Sequence, residues 1–591
     1  MNGKEIALGT FLLLFIASIT TLLLNEGEPT DKGNTTLASS GDPLFQYEGH
    51  DHSNASQHVA GTDNMELLDF NSLSTPGNAE VQVATTPDGR TYAYLAGWND
   101  MHIVDVTDPE NTEVVGVFKD PNTQVLDVKY LEYNGREYII QQNQLVDPGN
   151  ADPNVGEWSE PTQVSVVVID VTDKENPTWI DSWYDVDHPS GPHNLYTHMI
   201  DGEWYLFVAN PDYNQCNDAI GEACGGVTIA HLNLDGSAAR NLPGVPGAGL
   251  GHTVIKVGEY EVAWETTRGG WIYIHDMTVQ TWPGEDQNDP RYGHTFIYGS
   301  YWEAGLRIGD VTDVPHPVNS PESYTLHATT CKTGQGNPLM CRWRAPEVGL
   351  WMDFLDMDDD GQPDSGTTGN ENGGRVSYIH YAEPFPEMVD LSHVGYSDEP
   401  VHLVTAAVEV LSTNVGTGII YLIDTTEYTL EDGQFKFKPK LIRDWEIPYA
   451  EDHCYGGDCE AHPNGDEWLL FSPHNLDSTY FETTDETDQS HGGGWDGRLY
   501  ISHYHAGLWI IDVETLVAPD STDRIAIHEE ATVAYYLPHG EDGTPLDSSF
   551  YDFGWVPFLW AVEHHDGITY ASCISTGLYL VQLDIDMPYR L

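Results

Sequence analysis

A short Val- and Ile-rich run closing on an acidic residue recurs seven times along the 591-residue chain. The copies are "MHIVDVTDPENTEVVGVF" from Met101, "VVVIDVTDKENPTWIDSW" from Val166, "VTIAHLNLDG" from Val227, "GLRIGDVTD" from Gly305, "IIYLIDTTE" from Ile419, "GLWIIDVE" from Gly507 and "GLYLVQLDID" from Gly577. Each alternates or is continuously apolar over a strand's length, so each reads as a β-strand. A second strand precedes each copy, as in "TYAYLAG", "EWYLFVAN" and "RLYISHY", and several of these follow a turn such as "PDG", "YNG", "IDG" or "HDG". A first strand leads into the turn, and a fourth follows the acidic residue, as in "TEVVGVF". The unit is four antiparallel strands, and radial repetition of such sheets protects their edges. The expected fold is all-β, a seven-bladed β-propeller of four-stranded antiparallel blades over residues 64–591. The last copy leaves little room for a fourth strand, whereas "NMELLDFNSL" (64–73) is a strand with no partners before it. It is expected to close the last blade.

The stretches "MHIVDVTDPENTEVVGVF" and "SYWEAGLRIGDVTD" resemble LVIVD repeats, a family of β-propeller repeats in surface proteins of bacteria and archaea. The resemblance covers nearly everything after residue 63 and is clearest in the first, second, fourth, sixth and seventh copies. It implies the fold and a surface location. It brings no chemistry with it, so function has to come from residues.

Residues 1–5 form a short flank, and 6–24, "IALGTFLLLFIASITTLLL", is 19 residues without a charge. That length spans a bilayer and reads as an uncleaved transmembrane signal anchor, with a cleaved signal peptide as the rival. Residues 25–63 are polar and read as a flexible stalk carrying two glycosylation sequons, at Asn34 and Asn54. Both readings put the rest outside the cytoplasm. The charge, 94 acidic against 23 basic residues, repels phosphate backbones and excludes a nucleic-acid partner.

Six of the seven cysteines fall in close pairs: Cys216 with Cys224, Cys331 with Cys341, and Cys454 with Cys459. Outside the cytoplasm these read as local disulfides. The rival for the last pair is zinc held with His453 and His462. Cys573 stands in an apolar strand as a buried thiol. "DMDDDGQPDSGT" places Asp356, Asp358, Asp360 and Asp364 at calcium-loop spacing, with Gly361 for the sharp turn. It lies in an insertion over 331–375 and points to a structural Ca2+.

Histidines recur at or near the start of the first strands: His193 and His474 in "PHNL", His275 in "IHDM" and His380 in "YIHY". "AVEHHD" adds Glu563 and His564, and Asp127 and Glu80 stand at comparable positions. His503 and His505 of "HYHAGL" align with Tyr301 and Glu303 of "YWEAGL", in the loop between second and third strands. That loop leaves a blade on the same side as the start of its first strand, so one channel mouth would gather these groups. Neutral imidazoles with carboxylates suit zinc, copper or iron. The bland alternative is a wet, self-satisfied polar channel lining.

The chain carries no nucleophile elbow, Walker loop or dinucleotide fingerprint. The sequence therefore reads first as a membrane-anchored extracytoplasmic binding or scaffold module for a surface protein, glycan or small ligand. The second reading is a metal-dependent hydrolase or oxidoreductase with a His-rich site at the channel mouth.

Overall fold

The computed structural model describes residues 62, 64–73, 77–145, 165–183, 192–210, 226–235, 253–262, 273–302, 304–316, 343–352, 378–409, 418–448, 472–478, 497–537, 558–574 and 576–584. The described chain is all-β apart from short helical turns. Strand β1 (Met65–Asn71) is followed by β2 (Val81–Thr85), β3 (Thr91–Asp105), β4 (Glu113–Tyr133), β5 (Arg136–Leu145), β6 (Ser165–Asp170) and β7 (Thr178–Trp183). β2 to β7 make one six-stranded antiparallel sheet. It joins two repeats because β4 continues without a break from the fourth strand of one into the first of the next.

The next sheet holds β8 (Asn194–Ile200), β9 (Glu203–Asn210), β10 (Gly226–Leu232) and β11 (Val254–Tyr260). β12 (Asp276–Thr281), β13 (Thr295–Ser300) and β14 (Leu306–Asp310) lead the following one. The short β15 (Trp343–Arg344) runs parallel to β11, and β16 (Glu347–Trp351) completes the β12–β14 sheet. β17 (Ile379–Pro384), β18 (Leu403–Val408), β19 (Ile420–Asp424) and β22 (Lys440–Trp445) form another, with the hairpin β20 (Tyr428–Glu431) and β21 (Gln434–Phe437) between its last two strands. β23 (Pro473–Asp477), β24 (Arg498–His503), β25 (Gly507–Asp512) and β26 (Thr532–Tyr536) come next, then β27 (Leu559–His565), β28 (Ile568–Cys573) and β29 (Gly577–Leu583). β1 pairs antiparallel with β29, from Met65 opposite Leu583 to Asn71 opposite Leu578. The first strand of the chain is therefore the outer strand of the last sheet.

The turn chemistry explains the hairpins. Asn134–Gly135, Asp201–Gly202 and Asp566–Gly567 all have positive φ at both residues, the two-residue turn that matches strand twist. The glycine opening β14, β25 and β29 has another cause. Gly305, Gly507 and Gly577 have positive φ, and a Cβ there would collide with the carbonyl of Trp351, Tyr536 or Asn71 respectively. Asn71 thus meets Gly577 as the fourth strand meets the third in two other sheets.

Apolar layers lie between successive sheets. Leu131 and Tyr138 meet Leu195 and Trp204; Phe207 and Ile229 meet Met277 and Ile297; Phe296 and Ile308 meet Val404 and Tyr421. Leu403 and Leu422 meet Leu499 and Trp509, and Tyr500 and Ile510 share a layer with Leu559 and Val81. Leading strands also touch in sequence: β2, β4, β8, β12, β17, β23, β27 and back to β2. Their starts converge, and that convergence positions the site.

Several sequence expectations fall outside the described residues. They are the apolar segment 6–24, the stalk with Asn34 and Asn54, and the acidic loop of Asp356, Asp358, Asp360 and Asp364. The same holds for all three expected disulfides: Cys216 and Cys224, Cys331 and Cys341, Cys454 and Cys459 lie outside the described residues. Cys573 is the one cysteine among the described residues, and it is a buried thiol outside any disulfide, as expected. Its Sγ accepts from the Phe558 amide at 3.3 Å. Among the described residues no helix is long and apolar enough to cross a membrane.

Candidate metal centre

Four imidazoles form a row where the leading strands begin. His193 Nε2 stands 2.9 Å from His275 Nε2. The His275 ring centroid lies 4.1 Å from that of His380, which lies 4.0 Å from that of His474. The row exists because His193 and His275 immediately precede β8 and β12, while His380 and His474 are the second residues of β17 and β23. One structural register, repeated over four sheets, brings one imidazole from each to the same place.

The nitrogens are poorly partnered. His474 donates from Nδ1 to the Trp560 carbonyl at 2.8 Å, which fixes the tautomer and leaves Nε2 as a bare lone pair. His275 and His380 face the backbone of His380 and His474 in the same sense. Even so, His275 Nδ1 and both nitrogens of His380 have no hydrogen-bond partner among the described residues. Burial holds all four rings below the ordinary histidine range, to about 4 for His193 and about 3 for His474. Neutral imidazole is the form that ligates a metal.

A glutamate joins the row. Glu409 follows β18, and its amide donates to the Tyr378 carbonyl, two residues before His380. Its Oε2 has no hydrogen-bond partner among the described residues and lies 3.8 Å from His380 Nε2, while Oε1 accepts from the Tyr504 hydroxyl at 2.6 Å. Both His380 and Glu409 are completely buried. Burial pushes the Glu409 carboxyl up to about 7, against the opposing hydrogen bond from Tyr504. His275, His380 and Glu409 each offer a ligand atom within 4.8 Å of the other two. Donors around one ion at zinc-type distances stand about 3–4 Å apart, so small ring rotations close the set. Trp302 stacks on His275 at 5.1 Å and Trp560 lies 4.1 Å from His474, which walls the row with aromatic surface.

Beside the row is a cavity of about 30 Å³, room for about two water molecules. Glu80, Asp127, Asp276, Glu383, Asp477 and Glu563 line it, with Lys129 among them. Several of these carboxylates tie one leading strand to the next. Asp127 accepts from the Leu195 amide at 2.6 Å, Asp477 from that of His564 at 2.5 Å and Glu563 from that of Val83 at 2.8 Å. Burial raises the carboxyls of Asp127, Asp276, Glu383 and Glu563, and that of Glu80 to about 8. Burial also opposes the charge on Lys129, but Asp127 at 2.7 Å and Glu80 outweigh it and hold the ammonium protonated.

The residues singled out in the sequence thus separate. His193, His275, His380 and His474 come together. His503 is fully buried opposite Pro473, one residue from His474, with neither ring nitrogen hydrogen-bonded among the described residues. His505 does not share its face: Tyr504–Ala506 is a 3-10 turn, and His505 stacks on Phe558 at 4.7 Å. His564 stacks on Tyr500 at 4.0 Å inside the sheet packing, while Glu563 lines the cavity. Glu303 lies outside the described residues. Sequence reasoning missed Glu409, Tyr504, Lys129, Asp276, Glu383 and Asp477. The dipeptides His275–Asp276 and His474–Asn475 were the available signal for a carboxylate or amide tier following the imidazole tier. No protein-family model and no curated protein matches the chain.

Proposed function

We propose that the sheets form a seven-bladed β-propeller and that its axis carries a transition-metal centre, which makes the protein a metal-dependent hydrolase or oxidoreductase of small substrates. The observation that carries this reading is the bare, buried polar atoms on His275, His380, His474 and Glu409. An unfilled polar atom in a buried site costs about 1–3 kcal/mol, so four such side chains side by side are an expensive lining and an ordinary ligand set. The polar-lining alternative expects mutual satisfaction, which the carboxylate tier has and the imidazole tier lacks. Imidazoles with one carboxylate and no thiolate suit zinc, iron or copper. Glu409, held near neutrality beside Tyr504, is the group to take or give a proton there. Full burial restricts the substrate to a small molecule. The apolar stretch 6–24 and the polar tract 25–63 support a membrane-anchored, extracytoplasmic location, with Ca2+ on the acidic loop as a separate structural ion.

Elemental analysis of the purified full chain, after mild chelation, tests the reading. One equivalent of Zn, Fe or Cu is expected at the axis, and the His275→Leu/His380→Leu double variant should hold one equivalent fewer than wild type. Zinc selects metal-assisted hydrolysis for substrate screens; iron or copper selects redox chemistry. Calcium alone, or a transition-metal content that the double substitution leaves unchanged, would return the protein to a binding scaffold.

A further inference from the structure

A second cluster of metal-type ligands lies away from the axis, between two neighbouring sheets. Glu203 opens β9, His231 lies in β10 beside it, and His316 belongs to the segment after β14 in the next sheet. His231 Nε2 stands 3.1 Å from Glu203 Oε2, and His316 Nε2 stands 3.5 Å from Glu203 Oε1. Each carboxylate oxygen thus faces one imidazole. The two rings are 4.8 Å apart between centroids, and the three donor atoms all lie within 4.8 Å of one another. This differs from the surface pair His393–Glu514, at 2.9 Å, where one exposed imidazole meets one exposed carboxylate. At Glu203 two imidazoles from different sheets aim at one acid, and one of them, His231, is buried.

We propose that Glu203, His231 and His316 bind a divalent cation of the zinc type, which clips the sheet of β8 to β11 to the sheet of β12, β13, β14 and β16. Two imidazoles and a carboxylate are a zinc ligand set that leaves a fourth position for water. Glu203 is 41% exposed and His316 18%, so the site has an entry path, and His231 anchors it from inside at 3%. The Nδ1 atom of His231 has no hydrogen-bond partner among the described residues, so the neutral ring carries its proton on Nε2, facing Glu203. A cation would take the Nε2 lone pair once the ring's one proton has moved to Nδ1, which leaves the imidazole neutral. Asp235 acts on His231 as a further negative charge, which favours a cation at this spot. The site shares no residue with the axial centre and stands or falls independently of it.

Equilibrium dialysis of the full chain against Zn2+ alone is the test, with wild type beside His316→Ala and Glu203→Gln. Both positions are at least partly exposed, so both variants are expected to fold. Glu203→Gln keeps the hydrogen-bonding shape and removes the charge. The expected result is the loss of one zinc equivalent in His316→Ala and at least tenfold weaker binding of that equivalent in Glu203→Gln. In the His275→Leu/His380→Leu background the same equivalent should persist, which separates this site from the axial one. Zinc stoichiometry and affinity unchanged by both substitutions would overturn the proposal, and the pair would then be two hydrogen bonds and nothing more.

Discussion

The two ends of the repeat are built on opposite principles. At the outer end, the Asp-x-Thr turn repeats one geometry in four repeats spread over three sheets. Asp105, Asp170, Asp310 and Asp424 accept from the amides of Thr107, Thr172, Thr312 and Thr426 at 3.0, 2.9, 3.0 and 2.8 Å. Each threonine hydroxyl then accepts from the amide at the head of the second strand, that of Thr91, Glu137, Thr295 or His402, at 2.8–3.1 Å. One carboxylate oxygen of each aspartate serves the turn and the other meets Arg90, Arg136, His294 or Tyr396, so the turn is a structural device. At the inner end, His275, His380, His474 and Glu409 keep bare atoms although buried. Where a fold repeats and satisfies itself, the residues specify the fold. Where it repeats and leaves donors and acceptors unfilled, they await something else.

The largest effect should come from the strand that closes the set. Deleting residues 64–73 strips β29 of its outer partner and removes the Phe70–Tyr579 ring contact at 4.6 Å. An exposed edge and an opened apolar layer should lower the melting temperature steeply and promote association. Unchanged melting would mean that the termini contribute nothing to the arrangement.

A filled histidine should behave differently from a bare one. His402 uses Nδ1 with Thr425 at 2.6 Å and Nε2 with Gln280 at 2.9 Å, and burial, aided by Arg291, lowers it to about 3. Its unfolded value is about 6.5, so between these values the unfolded chain binds a proton that the folded chain refuses. Its neutral form is fully compatible with folding above about pH 6.5, and stability is lost as pH falls toward 3, by about 1.4 kcal/mol per unit. Denaturant titrations from pH 7 to 4 should show His402→Gln with a shallower acid slope than wild type. Parallel slopes would show that His402 charges freely in the fold.

The turns give a smaller, local effect. Thr172→Val removes the acceptor of the Glu137 amide and should cost about 1–2 kcal/mol by urea unfolding. Thr312→Val should cost a similar amount, because the geometry is the same. Very different values would break the equivalence of the repeats.

This contrast also marks what the sequence could and could not disclose. Strands, hairpin turns and acidic turns rest on short-range periodicity and turn residues, so they were readable one repeat at a time. The histidine row was readable too, because a register that recurs at the start of the leading strands carries its side chains to one place. His505 leaves the face of His503 because residues at i and i+2 share a face only on extended backbone, and Tyr504–Ala506 coils instead. His564 follows Glu563 on a strand, so with Glu563 at the cavity it had to face the opposite side. Glu409 announced itself only as a lone charge in "LVTAAVEV", and its nearness to His380 and Tyr504 comes from contacts between sheets. Such contacts have no local pattern to read.

The smallest effect on stability separates the two ends most cleanly. His380 is completely buried with two bare nitrogens, so His380→Leu deletes two unmet polar atoms and keeps most of the volume. In metal-free protein that change should be neutral or stabilising by about 1 kcal/mol, whereas His402→Leu, which orphans two partners, should cost about 2–4 kcal/mol. The proposed metal should then reverse the order: wild type should gain stability when the ion is added and the His380→Leu variant should gain none. Paired thermal scans with and without metal read both signs. If His380→Leu weakens the metal-free fold as much as His402→Leu does, the axial histidines are packing like any other. If it does not, the fold tolerates them at a cost in stability, and binding is what the cost sustains.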